Sequence, residues 1–281
     1  MTRRIRCGAT APTIIRVETN DKTMPDLLID NPLILSMLFH PRRATAGDST
    51  KPNTYDGIIT TNGAELGYRL YKAAANALLL YFHGNGEVAA DYDGMATLFQ
   101  ETGTSLLLLD YRGYGWSTGK PLGSTLLPDA EAAFKGLPAV LAAHGIPADT
   151  PLFIMGRSLG SAPAVHLAAT FPDAFKGLIL DSAFAHTPSL LITLGIPKAL
   201  LANLPDPFAN ERKIASVPIP TLIIHGARDT LIPIEHGERL YEASPAAKKT
   251  LLRIPGAGHN DLLFYGIQPY FAAVKKLING E

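Results

Sequence analysis

The chain has 281 residues, 47% of them hydrophobic and 18% charged, and its 25 Lys and Arg balance its 25 Asp and Glu. This composition excludes a disordered chain, and a formal net charge of zero excludes the overall basic field of a dedicated nucleic-acid binder. A single cysteine, Cys7, excludes an internal disulfide and a Cys-based zinc site, and it fits a reducing, cytoplasmic location.

Residues 1–55 are the least regular stretch. The basic start (Arg3, Arg4, Arg6) is followed by polar residues and Pro12, where an export signal needs about 7–15 apolar residues. Leu27 to Phe39 is interrupted by Asp30, Asn31 and Pro32 and is too short to span a bilayer, so no integral membrane span is expected. Pro25, Pro32, Pro41 and Pro52 predict an irregular arm packed on the domain, with a membrane-surface or partner-docking segment as the alternative.

From residue 56 a single domain is expected. Ile58 to Thr61, Asn62-Gly63 and Leu66 to Tyr71 read as a β-hairpin, because Asn-Gly accepts the positive φ angles of a tight turn. Short apolar runs and helical stretches then alternate. Strands are predicted at Ala77 to Phe82, Ser105 to Leu109, Leu152 to Met155, Leu178 to Leu180, Thr221 to Ile224 and Thr250 to Ile254. Helices are predicted at Tyr92 to Glu101, Leu126 to Ala143 (disturbed at Pro138), Leu159 to Thr170, Glu235 to Ala243 and Pro269 to Ile278, with Pro269 in the last one's first turn. Strands without polar alternation belong to a sheet covered on both faces, and strand–helix alternation makes that sheet mainly parallel. Between Asp181 and Thr221 lie about 40 residues, more than a crossover needs. The apolar Leu190 to Leu204 within them predicts a helix, either in a small lid over the strand ends (183–216) or packed plainly on the sheet.

The chemistry concentrates on loops that follow strands. In Gly156-Arg157-Ser158-Leu159-Gly160 a serine sits at a sharp strand-to-helix turn whose flanking positions must be small. The turn lifts the Ser158 hydroxyl above the sheet and aims a helix N-terminus at it, which favours developing negative charge. A serine hydroxyl needs a base to take its proton and a carboxylate to orient that base. His259, after the last strand, is the candidate base, with His186 and His225 as rivals. Asp229, in His225-Gly226-Ala227-Arg228-Asp229, is the candidate acid, with Asp181 as its rival. An oxyanion also needs two donors, expected to be the backbone N–H of Leu159 and that of Asn85 (or Gly86) in His83-Gly84-Asn85-Gly86-Glu87. His83 reads as a structural residue holding that loop. Asp110 and Arg112, in Asp110-Tyr111-Arg112-Gly113-Tyr114-Gly115, are expected to form a buried network bracing the floor of the site. No metal-ligand spacing is present.

These five ordered motifs resemble the α/β-hydrolase superfamily over about residues 56–281. More narrowly, the chain is similar to the small-lidded serine hydrolases of the bud-emergence-like group, which includes relatives of protein depalmitoylases. Phe39-His40-Pro41-Arg42 also resembles the segment before the first strand in that group. The resemblance implies a mostly parallel eight-stranded sheet in the order 1-2-4-3-5-6-7-8, helices on both faces and a short lid insertion. It also implies a Ser158–Asp229–His259 triad and no cofactor. The expected activity is cleavage of a small-molecule acyl ester or thioester through an acyl-enzyme. The alternatives are a serine peptidase or amidase, and a non-catalytic binding protein on a hydrolase scaffold.

Overall fold

The computed structural model describes residues 13–16, 28–74 and 76–281; Cys7 and the basic start lie outside them. Nine strands form one sheet: β1 (Thr13–Arg16), β2 (Thr54–Thr61), β3 (Ala64–Tyr71), β4 (Ala77–Phe82), β5 (Thr104–Leu109), β6 (Leu152–Arg157), β7 (Gly177–Asp181), β8 (Thr221–Gly226) and β9 (Lys249–Ile254). Their order is β1-β2-β3-β5-β4-β6-β7-β8-β9, and only the β2–β3 and β3–β5 pairs are antiparallel. Counted from β2, this is the implied eight-stranded order. The ninth strand is an addition, with Thr13–Arg16 pairing parallel to Gly57–Thr60. In the β2–β3 hairpin only Gly63 takes a positive φ (76°), while the Asn62 carbonyl accepts a hydrogen bond from Arg112 at 2.7 Å.

Eight helices accompany the sheet among the described residues: α1 (Pro32–Leu38), α2 (Ala96–Gln100), α3 (Leu126–Ala143), α4 (Ser161–Thr170), α5 (Thr187–Thr193), α6 (Asn210–Ile214), α7 (Ile234–Ala243) and α8 (Leu262–Ile278). Alternation along the strands splits the core in two. Leu78, Leu80 and Phe82 of β4 face one apolar cluster, which holds residues of α1, α3, α4 and α7. Leu79 and Tyr81 face the other, shared with α2 and α8. Both faces are therefore dry, as the strands without polar positions require.

The helices depart from expectation where prolines and glycines act differently. α3 runs through Pro138 without a break. The helix expected at Tyr92–Glu101 divides into a 3-10 turn (Ala89–Gly94) and α2. The closing helix begins at Leu262 rather than Pro269; Pro269 lies inside it, and Gly266 takes the non-helical angles (φ −148°, ψ 34°) of a kink one turn earlier. The single helix expected over Leu190–Leu204 is instead α5 and a 3-10 turn at Lys198–Leu201, divided where Gly195 takes φ 95° and Pro197 follows. The arm carries α1, whose first N–H groups are capped by Asn31: its side chain accepts from Leu33 N at 2.9 Å.

Candidate active site

The site is built where β4, β6, β8 and β9 end. Ser158 follows β6 directly and has φ 52°, a left-handed angle that costs a non-glycine residue about 1–2 kcal/mol. Two glycines make the turn possible. A Cβ on Gly156 would lie 2.2 Å from the Gly160 carbonyl oxygen, and one on Gly160 would lie 2.0 Å from that of Phe82. The strain is held by α4 immediately beyond, where Ser161 Oγ donates to the Ser158 carbonyl at 2.7 Å.

Asp229 lies in the turn after β8. Its Oδ1 accepts the N–H groups of Leu231 (2.9 Å) and Ile232 (2.8 Å), which aims Oδ2 at His259 Nδ1, 2.7 Å away. With its proton on Nδ1, the His259 ring presents a bare Nε2 to Ser158 Oγ at 3.0 Å. Burial works against the Asp229 carboxylate, but the hydrogen bond and charge of His259 and the Ile232 N–H outweigh it, so its pKa is held below the ordinary value. Hydroxyl, imidazole and carboxylate thus form one hydrogen-bonded line, all three side chains nearly buried.

The rivals are engaged elsewhere. Asp181 accepts from Tyr270 OH (2.8 Å) and Ser182 Oγ (2.9 Å). His186 caps α5 with its Nδ1 on Ser189. His225 donates from Nε2 to the Ile232 carbonyl at 2.7 Å, fixing the turn that carries Asp229, and burial depresses its pKa.

The loop after β4 is tied from several sides. His83 Nδ1 donates to the Gly84 carbonyl at 2.8 Å, and Nε2 stands 3.2 Å from Asp110 Oδ1, off the line of a hydrogen bond. Burial opposes the charged imidazole, and the Asp110 carboxylate outweighs it, leaving the His83 pKa raised. The expected Asp110–Arg112 network does not form. Asp110 accepts the Ala89 N–H at 2.9 Å, whereas Arg112 turns away to Asp129 (2.6 and 2.7 Å). An Asp110 oxygen stands where a Cβ on Gly115 would go, so the returning loop closes over that carboxylate and leaves no room for a guanidinium.

Sequence reasoning missed what holds Asn85. Its Oδ1 accepts from the His40 N–H and from Tyr114 OH, both at 2.7 Å, and its Nδ2 meets His40 Nδ1 at 2.7 Å. The only sequence signal is the Phe39-His40-Pro41-Arg42 segment. It also missed the hydrogen bonds of Arg157, which partners residues 70 and 102 positions away.

Ser158 opens into a cavity of about 250 Å³. Leu159 and Asn85 line it beside Ser158 and His259, and Met37 and Leu38 of α1, Leu190 and Leu194, and Leu231 and Ile232 form its apolar walls. A larger hollow, about 790 Å³, lies at the other end of the sheet against Ala77, Thr221 and Lys249, away from these side chains. Among the described residues no group of three His, Cys, Asp or Glu is placed to hold a metal ion, and no helix is long and apolar enough to cross a membrane.

A family model for serine aminopeptidase, S33, matches residues 73–214. Alpha/beta hydrolase domain-containing protein 17B of Homo sapiens is 32% identical over 228 residues, covering 79% of this chain and 74% of that protein. Protein 17C of Xenopus laevis is 31% identical, with 79% and 68% covered. Among solved structures, an esterase of Pyrococcus furiosus superposes with a TM-score of 0.68 at 20% identity, covering 85% of this chain and 98% of that one. A monoacylglycerol lipase of Paleococcus ferrophilus gives 0.58 at 21%, with 77% and 100% covered. At those identities the likeness shows the fold.

Proposed function

We propose that this chain, which belongs to the α/β-hydrolase superfamily, is a serine hydrolase that cleaves an ester or thioester of an apolar acyl group. The observation that carries this reading is the pair of hydrogen bonds at 2.7 and 3.0 Å joining Asp229 to His259 and His259 to Ser158. Ser158 Oγ attacks the carbonyl carbon while its proton passes to His259 Nε2, and Asp229 stabilises the resulting imidazolium. The oxyanion is received by the N–H groups of Leu159 and Asn85. As the carbonyl re-forms, the bond to the leaving oxygen or sulfur breaks and His259 returns the proton to it. Water, deprotonated by His259, then attacks the acyl-enzyme, releasing the carboxylic acid and restoring Ser158. No cofactor enters this scheme. The single cysteine fits the cytoplasmic location that belongs to the proposal.

The acyl preference rests on the six aliphatic side chains of the cavity. Amide cleavage has one observation in its favour, the family model's name. Aminopeptidase chemistry must receive an α-ammonium, yet no carboxylate stands among the residues lining the cavity, and its one fully charged side chain is Arg157. Incubation with a fluorophosphonate probe is the direct test. Label on Ser158 in folded protein, lost in Ser158→Ala, is expected; an unlabelled wild type would refute the reading. Nitrophenyl esters assayed beside aminoacyl-nitroanilides separate the two chemistries, and a strong amide preference would overturn the ester assignment.

A further inference from the structure

Arg157 occupies the variable position just before Ser158, and its side chain is only 14% exposed. One guanidinium nitrogen pairs with Glu87 Oε1. The second donates to the His259 carbonyl at 2.9 Å and to Asn260 Oδ1 at 3.0 Å. Its Nε lies 4.0 Å from Asp181 Oδ2. Glu87 extends the reach: its Oε2 accepts the Gly84 N–H at 2.8 Å and Tyr92 OH at 2.7 Å. A Cβ on Gly84 would stand 2.6 Å from the guanidinium, so the glycine lets this loop close onto it.

Three loops from strands far apart in sequence therefore meet on one side chain. They carry the attacking hydroxyl, the ring that takes its proton, and the N–H groups facing the oxyanion. A buried ion pair is weak evidence of stabilisation, because desolvation of both charges offsets their attraction. A rigid planar fork with five donors is well suited to fixing geometry, and a lysine cannot reproduce it. We propose that Arg157 is a positioning residue, holding the His259 loop and the 84–87 loop in register with Ser158. The inference rests on the serine-hydrolase reading above and adds a role for a residue that acts through the two loops it joins to Ser158.

The test compares wild type with Arg157→Lys, Arg157→Met and the double variant Arg157→Met/Glu87→Gln. Each is measured for kcat and KM on a nitrophenyl ester and for rate of fluorophosphonate labelling, per mole of folded protein. Misplacing reacting groups by about 1 Å costs on the order of 100-fold. Arg157→Met is therefore expected to lose about that factor in kcat and labelling rate, with KM within about threefold. Arg157→Lys, able to pair with Glu87 but unable to span both loops, should stay at least about 10-fold slow. The double variant removes the Glu87 charge together with the guanidinium and leaves Asp181 its hydrogen bonds from Tyr270 and Ser182. It should regain part of the thermal stability while staying as slow as Arg157→Met. Recovery of kcat together with stability in the double variant, or a normal kcat in folded Arg157→Met, would overturn the proposal. A wild type that fails to label would instead remove the parent reading, and the inference with it.

Discussion

His236 should make the protein lose stability in mild acid. The residue lies on α7, is 8% exposed, and its Nδ1 accepts the Ala185 N–H at 3.1 Å, where the chain leaves β7 for the insertion. Accepting there requires a neutral ring with its proton on Nε2. Burial first, and then the positive charge of Arg239, outweigh the opposing Glu235 carboxylate and bring its pKa from 6.5 to about 4. Between those values the unfolded chain binds a proton that the folded protein does not, so stability falls as pH drops from 6.5 towards 4. The slope is about 1.4 kcal/mol per pH unit for one proton, which amounts to about 2 kcal/mol between pH 7 and pH 5. Against a total stability of about 5–15 kcal/mol this is a large share. Denaturant unfolding at pH 7, 6 and 5 measures it, with His236→Asn as control, because the asparagine oxygen can accept the Ala185 N–H without titrating. The wild-type curve should fall more steeply than that of His236→Asn by about this slope. Parallel curves would refute the reasoning.

Asp229→Asn should lower kcat by about 10⁴, because an amide cannot hold His259 in the tautomer that leaves Nε2 bare; Asp181→Asn, assayed alongside on the same ester, should stay near wild type. Gly160→Ala places a Cβ 2.0 Å from the Phe82 carbonyl and should destabilise by about 1–3 kcal/mol or more in a urea melt. With esters of increasing chain length, kcat/KM should rise roughly fourfold per methylene, from about 0.8 kcal/mol each, until the apolar cavity is full. Met37→Trp should bring that plateau forward by several carbons while leaving acetate hydrolysis unchanged, and an unmoved plateau would take α1 out of the acyl site.

The sheet is legible because β4, β5 and β8 each carry an unbroken apolar run (Leu78–Leu80, Leu106–Leu109 and Leu222–Ile224), which a doubly covered strand requires. The elbow is legible for a related reason: Gly156 and Gly160 stand where a Cβ would strike backbone, and no rearrangement of side chains relieves that. Less visible are contacts decided by long-range packing. Arg112 has acidic residues at both 110 and 129, and nothing local indicates that the loop folds over Asp110 and sends the guanidinium to α3. β1 is four residues long, and its apolar pair Ile14-Ile15 carries no periodicity to set it apart. Pro269 looks like a helix start because the kink that accommodates it depends on Gly266, three residues earlier. Arg157 is the extreme case, a position free in the motif whose partners are known only once β4, β6 and β9 are adjacent.

Residues 37–44 fasten onto the loops of the site as closely as those loops fasten onto each other. The Gly115 N–H donates to the Arg42 carbonyl and the Ala44 N–H to the Gly115 carbonyl, Arg42 reaches the Gly86 carbonyl, and His40 grips Asn85. Trimming the chain to begin at the hairpin would thus strip one wall from the cavity beside Ser158 and two anchors from the loop that follows β4. A library confined to the strand–loop–helix repeats would overlook the stretch where a few substitutions can retune selectivity at least cost to the scaffold.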